Sequence, residues 1–537
     1  MYQNMLDGFP ILSIMVFLPV LTALVLLFVK YNEKADDGTR KRGGDTIRWI
    51  AAGGAAIDLV ISVVALVLYI GKYFNSGVAQ ADSFDFQEYV PWLTDLKISY
   101  HLGADALALL LLVLTTLLTL ISILVSWAPI QTRVREFYIT ILILQAGMMG
   151  VFVALDFFVF YIFWEVMLVP MALLIGIWGS SNRIYAAIKF FLYTLAGSLL
   201  MLVAIIALYF NSGTLDILAL QQQGPGMAHD LQNWVFLAFA AAFAVKVPMW
   251  PVHTWLPDAH VEAPVAGSII LAGVLLKMGA YGFIRFALPI TPAGAATFAP
   301  IMVGLSVIAV IYGAMVSVVQ PDLKKLVAYS SVSHMGFVTL GLFTGIWLNQ
   351  LGYDAGTQGV DGAIIVMLSH GLLTGGLFLC VGVIYNRLHS RRIADMGGMA
   401  KPMPRFAFLF GVMIFGSVGL PGFSGFIGEF LSMLGAFRAN WVVGAITTLV
   451  IIVAAWYLLW MFQRVMFNKT VPAVRHFKDL DRIEMGSLIV LGALSLFVGV
   501  WAAPLLDMIQ PISHALLATV STASAHVPDI FAMLFTH

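Results

Sequence analysis

Apolar positions along the chain gather in blocks of about twenty residues parted by short polar joints, the length a helix needs to cross a bilayer. Backbone groups in lipid must find partners within their own segment, so each block is read as a helix. Fourteen spans can be counted, near 9–30, 49–70, 104–128, 136–155, 157–178, 189–210, 232–251, 264–288, 298–320, 326–348, 362–386, 405–434, 440–466 and 486–509. The first is preceded by Asp7 and by no Lys or Arg, and it is too long for a cleavable signal peptide. The expectation is an all-α polytopic membrane protein.

Charge orients it. With alternate joints on opposite faces, one face collects 22 of the 28 basic residues, from Lys30 and Arg48 to Arg391 and Arg482. The other keeps Lys72, Lys97, Arg285 and Arg438, and the remaining two, Lys246 and Lys277, lie inside spans. The positive-inside rule then puts both termini on the non-cytoplasmic side. Composition mostly excludes. The chain is 61% hydrophobic and 10% charged with a mean hydropathy of +0.95, which is not a soluble domain. A lone Cys380 gives no disulfide, zinc or iron–sulfur site. No phosphate-binding glycine motif stands in a strand–turn–helix context, and a net charge near zero argues against nucleic acid. The longest joints (31–48, 71–103, 387–404, 467–485) are too short for a soluble domain. The joint 31–48 and the stretch 511–537 carry no assigned role, the latter reading as an interfacial helix or a loose tail.

Six ionisable residues sit where lipid would make them costly: Glu165, Lys246, Lys277, His334, His370 and Glu429. An unpaired charge at that depth costs several kcal/mol, so such groups pair, face a polar interior or serve transport. A static Glu165–Lys246 ion pair and satisfied core histidines are the bland alternatives; neutral imidazole is the cheaper group to bury, so His370 carries least weight. His253, Asp258, His260 and Glu262 follow in a joint near the basic face, where capping the next helix and proton uptake explain them equally well.

Broken helices sharpen this. Pro248 and Pro251 interrupt the seventh span and Pro421 with Gly422 the twelfth, each beside a charge. Such corresponding breaks point to an inverted repeat with its ion path at mid-membrane. The division expected is 1–135 (three helices), 136–288 and 298–466 (two five-helix repeats, with Lys246 and Glu429 as counterparts) and 467–537 (a helix and tail). Water reaching the freed backbone would make a hydrated seam. A lysine whose distance from a carboxylate can change holds its proton with adjustable strength. A series of titratable groups suits protons better than the oxygen cage of a dehydrated metal cation.

The segments KVPMWPVHTWLPDAHVEAPVAGSIILAGVLLKMGAYG, LKKLVAYSSVSHMGF and GLPGFSGFIGEF closely resemble the proton-pumping, antiporter-like membrane subunits of respiratory complex I, NADH:quinone oxidoreductase, over about residues 100–500. The resemblance implies fourteen helices in two inverted repeats, Glu165 and Lys246 as a pairing switch, Lys277 as central relay with His334 as its partner, and Glu429 on the exit side. It implies ND5-like and ND2-like neighbours in the membrane, which carry a lysine where this chain has Glu429. NADH, FMN, iron–sulfur clusters and quinone are expected in partner subunits and none in this chain. A bacterial plasma membrane is expected, with the mitochondrial inner membrane as the alternative. The rival readings are a multi-subunit Na⁺/H⁺ antiporter, an energy-converting hydrogenase and a structural scaffold.

Overall fold

The computed structural model describes residues 9–31, 37–76, 84–350 and 357–524. Among them, twelve helices are long and apolar enough to cross a membrane. The other two regions read as spans are each divided. The seventh consists of His229–Lys246 and Trp255–Glu262, and the twelfth of Pro404–Val418 and Ser424–Ala439.

The ends of the spans meet in the alternation that the charge pattern requires. At one end the joints after spans two, four and six interlock: Leu155 N donates to His101 O, Phe157 N to Leu215 O and Ile217 N to Leu155 O. Arg285 of the eighth span pairs there with Asp105, which also caps the third span. At the other end, Arg48 donates to Ile130 O, Trp178 to Thr132 O, and Ser180 N to Glu262 O.

Two features depart from the reading of the joints. Joint 71–103 contains an antiparallel hairpin, Asp85–Leu93 with Ile98–Ala104, so the chain is not purely helical. It is tied to the neighbouring joints by Asp156, which accepts from Ser99 N at 3.1 Å, and by His101 Nδ1 on Asp216 at 2.7 Å. The second departure is at the carboxyl end, where Ala503–Ser524 is a helix whose Ile509, Ile512, Leu516 and Val520 are buried. It packs on the ninth, tenth and eleventh spans (Pro292–Val318, Leu323–Leu348, Gln358–Leu388). Residues 525–537 of the predicted tail, and 32–36 of the charged joint, lie outside the described residues.

The eighth, tenth and eleventh spans are almost wholly covered by their neighbours, whereas the second, thirteenth and fourteenth present most of their surface outward. The inner three carry Lys277, His334 and His370. Helix–helix packing at this density needs small residues at the crossings: a Cβ on Gly279 would lie 2.7 Å from Phe243 O, and one on Gly362 2.5 Å from Ser432 N.

Candidate functional site

Glu165, Lys246, Lys277 and Glu429 each sit near a flaw in their helix, and three of the four flaws have a local cause. The helix of the seventh span stops at Lys246 because Pro248 has no N–H to donate and the carbonyls ahead of it must find others. Met249 N takes Ala244 O at 2.8 Å, and the Trp255 indole N–H takes Val245 O at 2.9 Å. In the twelfth span Gly419 (φ +81°) and Gly422 (φ +100°) adopt left-handed backbone that a side chain resists, with Pro421 between them. Glu429 follows on the resumed helix. In the fifth span a break at Met167, just after Glu165, separates Phe157–Val166 from Leu168–Trp178, with Pro170 denying a donor to the preceding turn. The eighth span was read as an ordinary helix but contains two π-helical turns, Leu271–Leu275 and Phe283–Ala287, flanking Lys277. Such turns widen the helix and release carbonyls. Lys277 Nζ donates to one of them, Ala272 O, at 2.5 Å.

These flaws aim the side chains into two groups. In the first, Lys246 is 2% exposed and lies over Trp164, 5.1 Å from the ring centroid, with Phe190 at 6.0 Å. Glu165 is half-buried, and its Oε1 has no hydrogen-bond partner among the described residues. No ion pair within 4 Å joins the two, so the structure holds the expected pair apart. The aromatic faces provide partial compensation for the ammonium through their π-electrons.

The second group is two close pairs facing each other. Lys277 Nζ is 2.7 Å from His370 Nδ1. The His370 and His334 rings are 6.0 Å apart between centroids. His334 Nδ1 is 2.6 Å from Glu429 Oε1. The family resemblance implies His334 as the partner of Lys277; the structure gives that place to His370 and turns His334 to Glu429. A cavity runs beside the group, lined by His334, Ser369, His370, Thr374, Ser417 and Glu429 among others. It leaves about 20 Å³ for the centres of water molecules, and one water needs roughly 10–15 Å³. His370 Nε2 and Ser417 Oγ are buried without partners and both line this space. Buried polar atoms are rarely left unsatisfied, so this cavity suits water.

The remaining candidates do not form a joint. His253 lies in the broken stretch, and Asp258, His260 and Glu262 lie on the resumed helix Trp255–Glu262. The span therefore reaches about a dozen residues beyond its predicted end, because residues after a proline break can rejoin the same crossing. Glu262 accepts from Ser180 Oγ at 2.6 Å and Asn182 N at 2.9 Å; it ties down the approach to the sixth span rather than capping the next helix. Asp258 pairs with Lys189 at 2.7 Å. His253 and His260 are buried with both ring nitrogens unpartnered, His253 edge-on to Tyr312 and His260 stacked 4.3 Å from Phe378. His260 is within electrostatic reach of Lys277 and of Lys324, itself buried and donating to Ala263 O at 2.6 Å.

Three buried polar groups escaped the sequence reading. Lys324 was counted as a basic residue of a joint. Asp58 lies inside the second span, where its carboxyl accepts from Gln145 Nε2 at 2.6 Å; its position within an apolar block was the available signal. Asp361 falls one residue outside the span predicted at 362–386.

Comparison with known proteins agrees with this architecture. Residues 154–455 match the NADH:quinone oxidoreductase/Mrp antiporter transmembrane family. NADH-quinone oxidoreductase subunit M of Rhodobacter capsulatus is 44% identical over 534 residues, covering 96% of this chain and 99% of that protein. NADH-ubiquinone oxidoreductase chain 4 of Arabidopsis thaliana is 42% identical over 92% of this chain and 94% of its own length. Among solved structures, a chain of respiratory complex I from Thermus thermophilus superimposes with a TM-score of 0.83 at 29% identity, over 95% of this chain and 99% of that one. A chain of the Mrp complex from Dietzia shares the fold, with a TM-score of 0.78 at 21% identity over 96% of this chain and 98% of that one. The chain belongs to the family of antiporter-like membrane subunits. Within it, the chain falls with subunit M, the chain 4 type, of NADH:quinone oxidoreductase.

Proposed function

We propose that this chain translocates protons as a membrane subunit of complex I, along a path from Glu165 and Lys246 through Lys277, His370 and His334 to Glu429. The observation carrying the reading is two close pairs, Lys277–His370 and His334–Glu429, whose histidine rings face each other across 6.0 Å beside a cavity with unsatisfied polar walls. Lys277 gives a proton to His370 Nδ1. Water in the cavity bridges His370 Nε2 to His334, which passes it to Glu429. Glu165 and Lys246 form the switch upstream. Apart, as here, they leave the ammonium with aromatic contacts and only a distant carboxylate; brought together, the carboxylate holds its proton more firmly. His253 and His260, with Lys324 beside His260, supply uptake from the basic end.

The energy comes from NADH oxidation by quinone in partner subunits, which hold FMN and the iron–sulfur clusters. Coupling to this chain is mechanical or electrostatic, through ND5-like and ND2-like neighbours in a bacterial plasma membrane, with both termini non-cytoplasmic. The interrupted spans seven and twelve stand fourth in two inverted five-helix units (136–288 and 298–466), which makes Lys246 and Glu429 counterparts.

The test is proton pumping driven by NADH in sealed membrane vesicles, with assembly checked on native gels. Lys246→Ala and Glu429→Ala are each expected to lower pumping by at least about tenfold, a floor for groups whose proton transfer is typically worth ~10²–10⁴-fold, while the complex still assembles. Normal pumping in either variant removes the path.

A further inference from the structure

The proposed path ends at Glu429, still 6% exposed and enclosed by its neighbours, so a proton arriving there has some way to travel before it meets bulk solvent. On the same helix, one turn nearer the end marked by Arg438, lies Ser432. Its hydroxyl is fully buried and has no hydrogen-bond partner among the described residues. It occupies a seam made by glycines: Cβ atoms on Gly341 and Gly362 would lie 2.9 and 2.8 Å from Ser432 Oγ. Next in the chain to Gly362 is Asp361, 3% exposed. Asp361 stands nine residues before His370, about 13 Å further along the eleventh span at 1.5 Å per residue. It accepts from Ser513 Oγ of the C-terminal helix at 2.6 Å, with His514 within electrostatic reach. Three residues earlier, Gln358 already meets Arg438 at the exposed end of the same helices, at 2.7 Å.

We propose that Ser432 and Asp361 extend the proton path from Glu429 outward, with Asp361 as the last carboxylate before solvent and the C-terminal helix holding it in place. Two features set these groups apart. A buried carboxyl is costly when its hydrogen-bond partners, Ser513 and Thr357, are neutral hydroxyls. A buried hydroxyl without a partner is a liability that alanine would remove at no loss of packing. Both make sense if the groups hand on a proton: Ser432 can accept one on its oxygen and release its own, and Asp361 can hold it until water takes it. No atom is gained or lost in the exchange, because one proton enters at Glu429 and one leaves at Asp361.

This inference rests on the path proposed above, and its test separates the two. NADH-driven pumping is measured in sealed vesicles for Glu429→Gln, Ser432→Ala and Asp361→Asn in the full complex, with assembly measured alongside. Both Ser432→Ala and Asp361→Asn are expected to assemble normally and to lose pumping at least about fivefold, while Asp361→Glu, still titratable, keeps more than half. A structural role predicts the reverse, because Asn preserves the acceptor for Ser513 and Ser432→Ala removes an unpaired group. Normal pumping in Ser432→Ala and Asp361→Asn, with Glu429→Gln inactive, overturns this extension and leaves the path standing. Normal pumping in Glu429→Gln removes the path itself. Should Asp361→Asn fail to assemble, Ser432→Ala decides alone: pumping intact overturns the extension, pumping lost with assembly intact supports it.

Discussion

At the scale of single residues, the division of labour between the two histidines is the most consequential detail. His370 touches Lys277, His334 touches Glu429, and the two rings face one cavity. A proton leaving Lys277 therefore meets His370 first. His370→Gln, which keeps a polar side chain but cannot carry the proton, is expected to depress pumping by about tenfold, as much as the same change at His334. If the His370 variant pumps normally while the His334 variant does not, Lys277 delivers by another route. Glu429→Lys is a gentler probe. The lysine expected at this place in sister subunits suggests partial activity, and complete loss would mean that His334 requires a carboxylate opposite it. The Asp105–Arg285 pair belongs to a different account. Both groups are buried with aromatic rings around the guanidinium, so removing one strands the other at a cost of about 3–5 kcal/mol. Arg285→Ala is expected to cut the amount of assembled complex on native gels; wild-type assembly would show the pair to be dispensable.

Elements matter here chiefly where they fail. Each relay charge has a break or a wide turn within a few residues: Met167 after Glu165, the proline stretch after Lys246, π-turns around Lys277, and the glycine–proline turn before Glu429. A regular helix consumes its carbonyls internally and has nothing to offer an ammonium; a flawed one leaves polar groups free at the depth where charges need them. Close packing fixes the position of these flaws. Gly279, two residues after Lys277, lets the eighth span touch the end of the helix that carries Lys246. A methyl there meets backbone, which cannot swing aside, so Gly279→Ala is expected to cost about 1–3 kcal/mol. It should also disturb pumping more than NADH oxidation with an artificial acceptor. Equal loss of both activities would point to failed assembly rather than a displaced relay.

For the whole molecule, the meeting of alternate joints at opposite ends fixes the parity of the spans, and the basic residues then argue for which end faces the cytoplasm. A reporter fused after His537 tests this: alkaline phosphatase, active only outside the cytoplasm, is expected to be active, and a fluorescent cytoplasmic reporter in its place to be dark. The opposite pattern would reverse the orientation and with it the directions of uptake and release. A scaffold without a transport role predicts that neutralising Glu165 and Lys246 together leaves pumping intact. The proposed path predicts its loss.

The sequence alone determined the class of protein, its many apolar spans and the residues worth suspecting, because each of these follows from local cost: apolar length, basic residues at joints, charges and prolines inside apolar blocks. Glu165, Lys246, Lys277, His334 and Glu429 stand out by being expensive where they are. Only the tertiary structure decided who meets whom. His370 gained its lysine through a contact 93 residues apart, the helix carrying His260 turned out to continue a span rather than leave it, and Asp361 found its serine 152 residues downstream, in a stretch that reads equally as an interfacial helix or a loose tail. The π-turns beside Lys277 left no mark in the pattern, since they depend on how neighbouring spans press on that helix. Pairing across helices is a property of packing, and packing is set by every neighbour at once rather than by any stretch of chain.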